Sequence, residues 1–178
     1  MKLLSLKSGQ IELTNDLRKE DAAVIAKNAS DYEIYRNIGG HSFPFPYTES
    51  DALYFIEKQR ESGKEIFSID FKILFECTFT GVIGLSDIDT ASRSAHVGYW
   101  ISKDFRNRGI ATTALSLICD YSRDSLNMNR LHTKVLEYNP ASLKVLIKNG
   151  FAIEGYQRDS YFFEGKPYSE FLLGKILH

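Results

Sequence analysis

The stretch Tyr99 to Ala114, Y-W-I-S-K-D-F-R-N-R-G-I-A-T-T-A, constrains this chain more than any other. An apolar run ends at Ile101, and a basic loop then carries Arg106, Arg108 and Gly109. Helical spacing begins around Gly109 to Ala111. Ala111, Ala114, Leu115, Ile118 and Cys119 recur at i, i+3, i+4, i+7 and i+8, which is one face of an amphipathic helix. A strand that enters a helix through a glycine turn makes an α/β unit. It also makes an anion site, because the first-turn N–H groups have no helical partner and the helix dipole favours negative charge there. Gly109 allows close backbone approach and Ala111 keeps the first turn slim. On geometry alone, a phosphate cradle and an ordinary basic turn remain alternatives.

The rest of the chain extends the α/β pattern. Gln10 to Leu13 alternates as a half-buried strand does, Asp21 to Asn28 is Ala-rich and helical, and Ser30-Asp31-Tyr32-Glu33 reads as a capping box. Gly39 to Pro46 is a loop, broken by its two prolines and rich in aromatics. Thr48-Glu49-Ser50-Asp51 starts a further helix, with Leu53, Phe55 and Ile56 toward the core. Apolar runs holding Ile66, Ile69 and Phe71, then Thr78 to Leu85, then His96 to Ile101, form an antiparallel meander, with Asp87, Asp89 and Ser92 marking its last turn. Leu131 to Leu136 is a strand. Asn139 caps a helix with Pro140 at its first position, Leu143, Leu146 and Ile147 as its buried stripe and Asn149-Gly150 at its end. Two strands follow, from Phe151 and from Tyr168 to Leu177, with Glu164-Gly165-Lys166 as the hairpin tip.

Composition narrows the function classes. The 178 residues, 43% hydrophobic, supply a core for one domain over 1–178. A net charge of -1 argues against a dedicated nucleic-acid binder. Cys77 and Cys119 lie far apart with no metal-ligand spacing, so no zinc site and no metal is expected. The first residues lack the run of about 7–15 apolar residues of a secretory signal, and no uncharged run nears the ~20 of a membrane span. The expected location is cytoplasmic, away from membranes.

Arg106-Asn107-Arg108-Gly109-Ile110-Ala111 matches R/Q-x-x-G-x-G/A and resembles the pyrophosphate loop of the GNAT N-acetyltransferases. V-G-Y-W-I before it and N-P-A-S-L-K-V-L-I-K-N-G-F-A-I-E-G-Y after it resemble the ribosomal-protein N-terminal acetyltransferase branch, of RimJ/RimL type. P-F-P-Y-T-E-S-D-A and G-V-I-G-L-S-D-I are similar to that branch too, so the resemblance spans nearly the whole chain. It implies an α/β fold with a mixed central sheet of about seven strands, splayed between the fourth and fifth and flanked by helices.

The resemblance also implies roles. Acetyl-CoA would be the co-substrate. Its pantetheine arm would bond backbone at Tyr99, Trp100 and Ile101, and its pyrophosphate would meet the N–H groups from Arg106 through Asn107, Arg108, Gly109, Ile110 and Ala111 to Thr112. The Arg106 and Arg108 side chains are candidates for added charge. Asn139 would bond the pantetheine or acetyl region, and Ser142 would protonate the leaving thiolate as general acid. Both also read as cap and third position of a helix. Lys144 and Lys148 could approach the adenosine phosphate, although exposed helical lysines are the default.

The base departs from the branch. Where the branch has a proposed glutamate, this chain has Tyr161, with Asp159 two residues earlier. A phenol of ordinary pKa about 10 is a poor base. Asp87 and Asp89 acting through water, and His96, are alternatives. Phe43, Phe45, Tyr47 and Asp87 are the expected acceptor-pocket residues, with Tyr161 or Phe162 as further walls. The expected acceptor is the α-amine of a protein or peptide, such as a ribosomal protein. A small amine (a polyamine, amino sugar, antibiotic or metabolite) and a non-catalytic acyl-CoA-binding module are the competing readings. Homodimers occur in such families, and the sequence carries no interface signal.

Overall fold

A computed structural model describes residues 3–38, 43–61 and 68–178. One eight-stranded mixed sheet runs through it in the order β1-β2-β3-β4-β5-β6-β8-β7. Its strands are β1 (Ser5–Ser8), β2 (Ile11–Thr14), β3 (Ile69–Phe75), β4 (Thr78–Asp89), β5 (Ser94–Ile101), β6 (Arg130–Leu136), β7 (Ala152–Phe163) and β8 (Lys166–Ile176). The helices are α1 (Ala22–Ala29), α2 (Tyr32–Ile38), α3 (Glu49–Glu61), α4 (Ile110–Asp124) and α5 (Pro140–Lys148). Strands β1 to β5 are antiparallel neighbours, β5 and β6 are parallel, and β8 lies antiparallel between β6 and β7. None of the described helices is long and apolar enough to cross a membrane.

Each sheet face is covered by helices. Ile69, Phe71 and Ile73 of β3, Ala95 and Val97 of β5 and Leu131 of β6 pack against Ile110, Ala114, Leu115 and Ile118 of α4. On the other face, Phe79 and Val82 of β4 pack with Ile25 of α1 and Ala52 and Ile56 of α3. Strand β4 is buried from Phe79 to Leu85 because it is covered on both sides, hence its continuous apolar run.

The expected seven strands become eight. Strand β1 was not anticipated because Ser5–Ser8 is exposed or half-buried throughout and shows no apolar alternation. With β1 counted, the splay expected between the fourth and fifth strands lies between β5 and β6, the same two segments. The cap of α2 is Asp31 rather than Ser30, since Asp31 Oδ1 accepts the Glu33 N–H at 2.8 Å. Leu53 and Phe55 are half-buried, while Ala52 and Ile56 carry the core contact of α3. Residues 39–42 of the expected aromatic loop, and Ile66, lie outside the described residues.

Candidate functional site

The parallel ladder between β5 and β6 has three rungs, Ser94↔Arg130, Ala95↔Leu131 and His96↔His132, and then stops. Beyond it, β5 stays paired with β4 as far as Gly81↔Ile101, and β6 stays paired with β8 as far as Leu136↔Glu170. Each strand is held on its outer side and the inner edges diverge into a cleft. Backbone polar groups along residues 97–101 thus have no ladder partner on the cleft side, a position that a ligand with amide groups can fill. Tyr99, Trp100 and Ile101 lie on this edge. Trp100 turns to the core under α1 and α3, tilted against Phe79.

Tyr99, Asn139 and Ser142 meet across the cleft. The Tyr99 hydroxyl is 3.0 Å from Ser142 Oγ, and Asn139 Oδ1 accepts the Ser142 N–H at 3.1 Å as the N-cap of α5. Burial pushes the Tyr99 phenol up to about 12, with the Ser142 bond opposing in part. The phenol is therefore protonated at neutral pH and can only shuttle or donate a proton.

The basic loop lies between the end of β5 and α4. A short 3-10 turn, Lys103–Phe105, leads to Asn107 and Gly109, both in the left-handed region at φ 62° and 76°. Gly109 is the N-cap of α4, and no side chain caps that helix. A Cβ built on Gly109 meets nothing within 4 Å, so the space before the first turn is open. That combination fits an anion bound by the Ile110, Ala111 and Thr112 N–H groups. The two arginines behave differently. Arg108 is exposed, its guanidinium 5.3 Å from the Phe105 ring centroid. Arg106 is engaged: Nη2 lies 2.7 Å from Asp31 Oδ2, Nη1 pairs with Glu33, and Nε donates to the Ile101 carbonyl at 3.2 Å. Lys144 and Lys148 are exposed on α5.

At the closed end of the cleft stands His96. Its Nδ1 is 3.1 Å from Ser86 Oγ and its Nε2 is 3.5 Å from Thr133 Oγ1. The His132 ring is 5.7 Å away, centroid to centroid. The imidazole leans along β5, since its Cε1 lies 3.7 Å from a Cβ built on Gly98, the next residue on that face. Burial holds the His96 pKa below its ordinary value, His132 and Lys134 add to this, and Asp87 opposes it. The His132 pKa is also lowered, by burial first and Arg130 next, with Asp87 and Glu154 opposing. Asp87 is exposed on the β4 bulge at φ 49°. Asp89 accepts the Ala91 and Ser92 N–H groups of the turn.

The open side is walled by α2 and the β7–β8 hairpin. The Tyr35 ring packs on Phe163 at 5.2 Å and on Phe45 at 5.5 Å, and the Tyr32 hydroxyl donates to Glu164 at 2.7 Å. The Tyr138 hydroxyl donates to the Arg36 carbonyl at 2.7 Å, and the Arg36 guanidinium covers the Tyr138 ring at 4.1 Å. Of the expected pocket residues, Phe45 joins this wall and is 46% exposed. Tyr47 is buried in the core under α1 and α3, with Phe43 packed on it at 4.6 Å. Tyr161 stacks with Phe163, and burial raises its pKa, which makes it a still poorer base. Phe162 is 62% exposed, and Asp159 lies at a bulge of β7 with φ 50°. His132, Tyr35 and Tyr138 carry no signal in the sequence, and Asp31 and Glu33 read there only as part of a capping box. Only the β5–β6 register brings the two histidines together, and only the tertiary placement of α2 gives Arg106 its partners.

Comparison with known proteins matches residues 14–152 to the acetyltransferase (GNAT) domain family. The putative ribosomal N-acetyltransferase YdaF of Bacillus subtilis (strain 168) is 31% identical over 106 residues, which cover 60% of this chain and 58% of YdaF. The matched stretch is thus little more than half of that relative. The uncharacterized N-acetyltransferase p20 of Bacillus licheniformis is 32% identical over 145 residues, 79% of this chain and 78% of p20. In structure, spermidine N-acetyltransferase from Vibrio cholerae, solved with CoA and spermine, superposes with a TM-score of 0.82 at 20% identity, covering 96% of this chain and 97% of that one.

Proposed function

The chain belongs to the GNAT acetyltransferase family, and from that premise we propose that it is an acetyl-CoA-dependent N-acetyltransferase acting on the α-amine of a protein or peptide, with residues 1–178 forming one catalytic domain. The observation that carries the transfer reading is the end of the β5–β6 ladder at His96↔His132. It leaves an open strand edge flanked by the Tyr99–Ser142 hydroxyl pair and by the uncapped start of α4. The N–H groups of residues 107–112 are the proposed pyrophosphate cradle, that of Arg106 being donated to the Lys103 carbonyl at 3.4 Å, and the edge at residues 99–101 is the proposed pantetheine contact.

The reaction is direct transfer. A neutral amine attacks the thioester carbon, the C–N bond forms, the C–S bond breaks, and backbone N–H groups stabilise the developing oxyanion. Ser142 supplies the proton to the leaving thiolate, and Tyr99 can replenish it. An α-amine has a pKa of about 7.7–8.0, so a useful fraction is neutral near pH 7, whereas a lysine amine at about 10.4 needs far more help. His96 is the proposed proton acceptor. It is neutral at working pH and leans toward the cleft along Gly98.

Two features favour a peptide over a polyamine. The wall is aromatic, and three of its carboxylates are engaged: Asp31 and Glu33 face Arg106, and Glu164 accepts from Tyr32. A polycation needs carboxylates free to pair with it. The polyamine reading draws on the likeness to the spermidine enzyme. The test is CoA thiol release with three acceptors: a lysine-free peptide beginning with serine, an N-blocked peptide with one lysine, and spermidine. Turnover of the first alone is expected. Turnover of spermidine alone replaces the peptide reading, and release with none of the three overturns both.

A further inference from the structure

We infer that Arg106 is a positioning residue that ties the pyrophosphate loop to helix α2, the wall of the amine site, and that its guanidinium is not a phosphate ligand. The inference rests on the acetyl-transfer reading above. Each nitrogen of the guanidinium has an acceptor: Nε the Ile101 carbonyl, Nη1 Glu33 and Nη2 Asp31. The contact to Asp31 is sheltered, the two side chains being 25% and 17% exposed. A phosphate on this fork would displace the carboxylates or lie against them, and either way it would set a new negative charge beside two existing ones.

Asp31 divides its oxygens between two tasks. Oδ1 accepts the Glu33 N–H at 2.8 Å and so starts α2, while Oδ2 takes Arg106 at 2.7 Å. One carboxylate therefore fixes both where the helix begins and where it is anchored. Tyr32, Tyr35 and Arg36 follow within the same helix and make the contacts to Glu164, Phe163 and Tyr138 that form the wall. The planar fork explains arginine here, because a lysine ammonium cannot reach three acceptors in fixed directions.

The test separates the two ligands. Acetyl-CoA affinity is measured by calorimetry, and kinetics with the serine-initiated peptide or, if that is inert, spermidine. In Arg106→Ala the KM for the amine should rise about tenfold or more while the acetyl-CoA Kd stays within about threefold. Asp31→Asn keeps an oxygen to cap α2 but removes the charge, and should give the same selective rise. The double variant should be no worse than either single one, since both break one contact. Arg106→Lys should recover only part of the amine KM. An acetyl-CoA Kd raised about tenfold in Arg106→Ala, or tightened in Asp31→Asn, makes Arg106 a phosphate ligand and overturns the inference. So does an equal loss for both ligands, which is the mark of a merely structural contact. Wild-type protein that turns over neither amine overturns the functional reading and this inference with it, whereas active wild type with unselective variants overturns the inference alone.

Discussion

The Tyr99 hydroxyl lies 3.0 Å from the Ser142 hydroxyl, joining β5 to the start of α5 across the cleft where β5 and β6 part. The two groups are unequal. Burial keeps the Tyr99 proton in place to about pH 12, while Ser142 sits at the mouth of a capped helix. If Ser142 donates to the thiolate, Ser142→Ala lowers kcat by about 10–100-fold with the acetyl-CoA Kd nearly unchanged. That lies at the low end for acid catalysis because a thiol of pKa about 8.5 is a tolerable leaving group unaided. Tyr99→Phe should cost less than Ser142→Ala. The reverse order in steady-state kinetics would make Tyr99 the donor.

Gly109 separates backbone strain from packing. A Cβ there meets no atom within 4 Å, so Gly109→Ala adds no clash, but φ 76° is unfavourable for alanine. Thermal or denaturant unfolding should show a loss of about 1–2 kcal/mol. The same strain tilts the N–H groups at the start of α4, so the acetyl-CoA Kd should rise by more than it does for Arg108→Ala, whose exposed guanidinium is 5.3 Å from the Phe105 ring. Equal effects would place phosphate recognition in side-chain charge rather than in the loop backbone.

These residues also mark how far the sequence was legible. The Gly109 turn, the Asn139 cap and the stripe of α4 are local, set by neighbours a few positions away, and each formed where its pattern placed it. Strand β1 carries no such pattern, because this four-residue edge strand turns only Leu6 toward the core and leaves Ser5, Lys7 and Ser8 exposed. Partnerships across the chain were not readable. Arg106 finds carboxylates 75 and 73 positions away, and His96 meets a residue of β6 only through the register of a parallel pair. The aromatic loop was read as wall throughout, yet Phe45 lies at the surface while Tyr47 is buried, a distinction that depends on how α1 and α3 pack beneath it.

Asn139 has a structural task that can be separated from any contact with substrate. Its Oδ1 caps α5 by accepting the Ser142 N–H at 3.1 Å. Asn139→Ala should destabilise the fold by about 1 kcal/mol, as loss of a cap does. Asn139→Asp keeps an acceptor oxygen at the helix start, where negative charge is favoured, and should retain stability. If Asn139 also touches the pantetheine amides through its NH2 group, Asn139→Asp will be stable yet slow. Full activity in a stable Asn139→Asp protein would reduce Asn139 to a cap.

The His96–His132 pair makes activity and stability depend on pH in the same direction. Burial lowers both pKa values below the ordinary 6.5. Each imidazole therefore binds protons more weakly in the folded protein than in the unfolded chain. Stability from this source is present above pH about 6.5 and is lost as pH falls through the folded pKa values, since the unfolded state then takes up more protons. Melting temperature should drop between about pH 7 and 5, and His96→Gln should flatten that drop. Catalysis has a parallel limb. Protonated His96 cannot take a proton from the amine, so kcat/KM should fall in two steps on the acid side, one at the α-amine's own pKa of about 7.7–8.0 and a further one below 6.5 from His96. In His96→Gln the lower step should be lost, with a rate at pH 7 lower by about 100-fold and recovering toward pH 9 as the amine loses its proton to solvent. A His96→Gln enzyme slowed equally at pH 7 and pH 9 would exclude His96 as proton acceptor and leave it a packed strand residue.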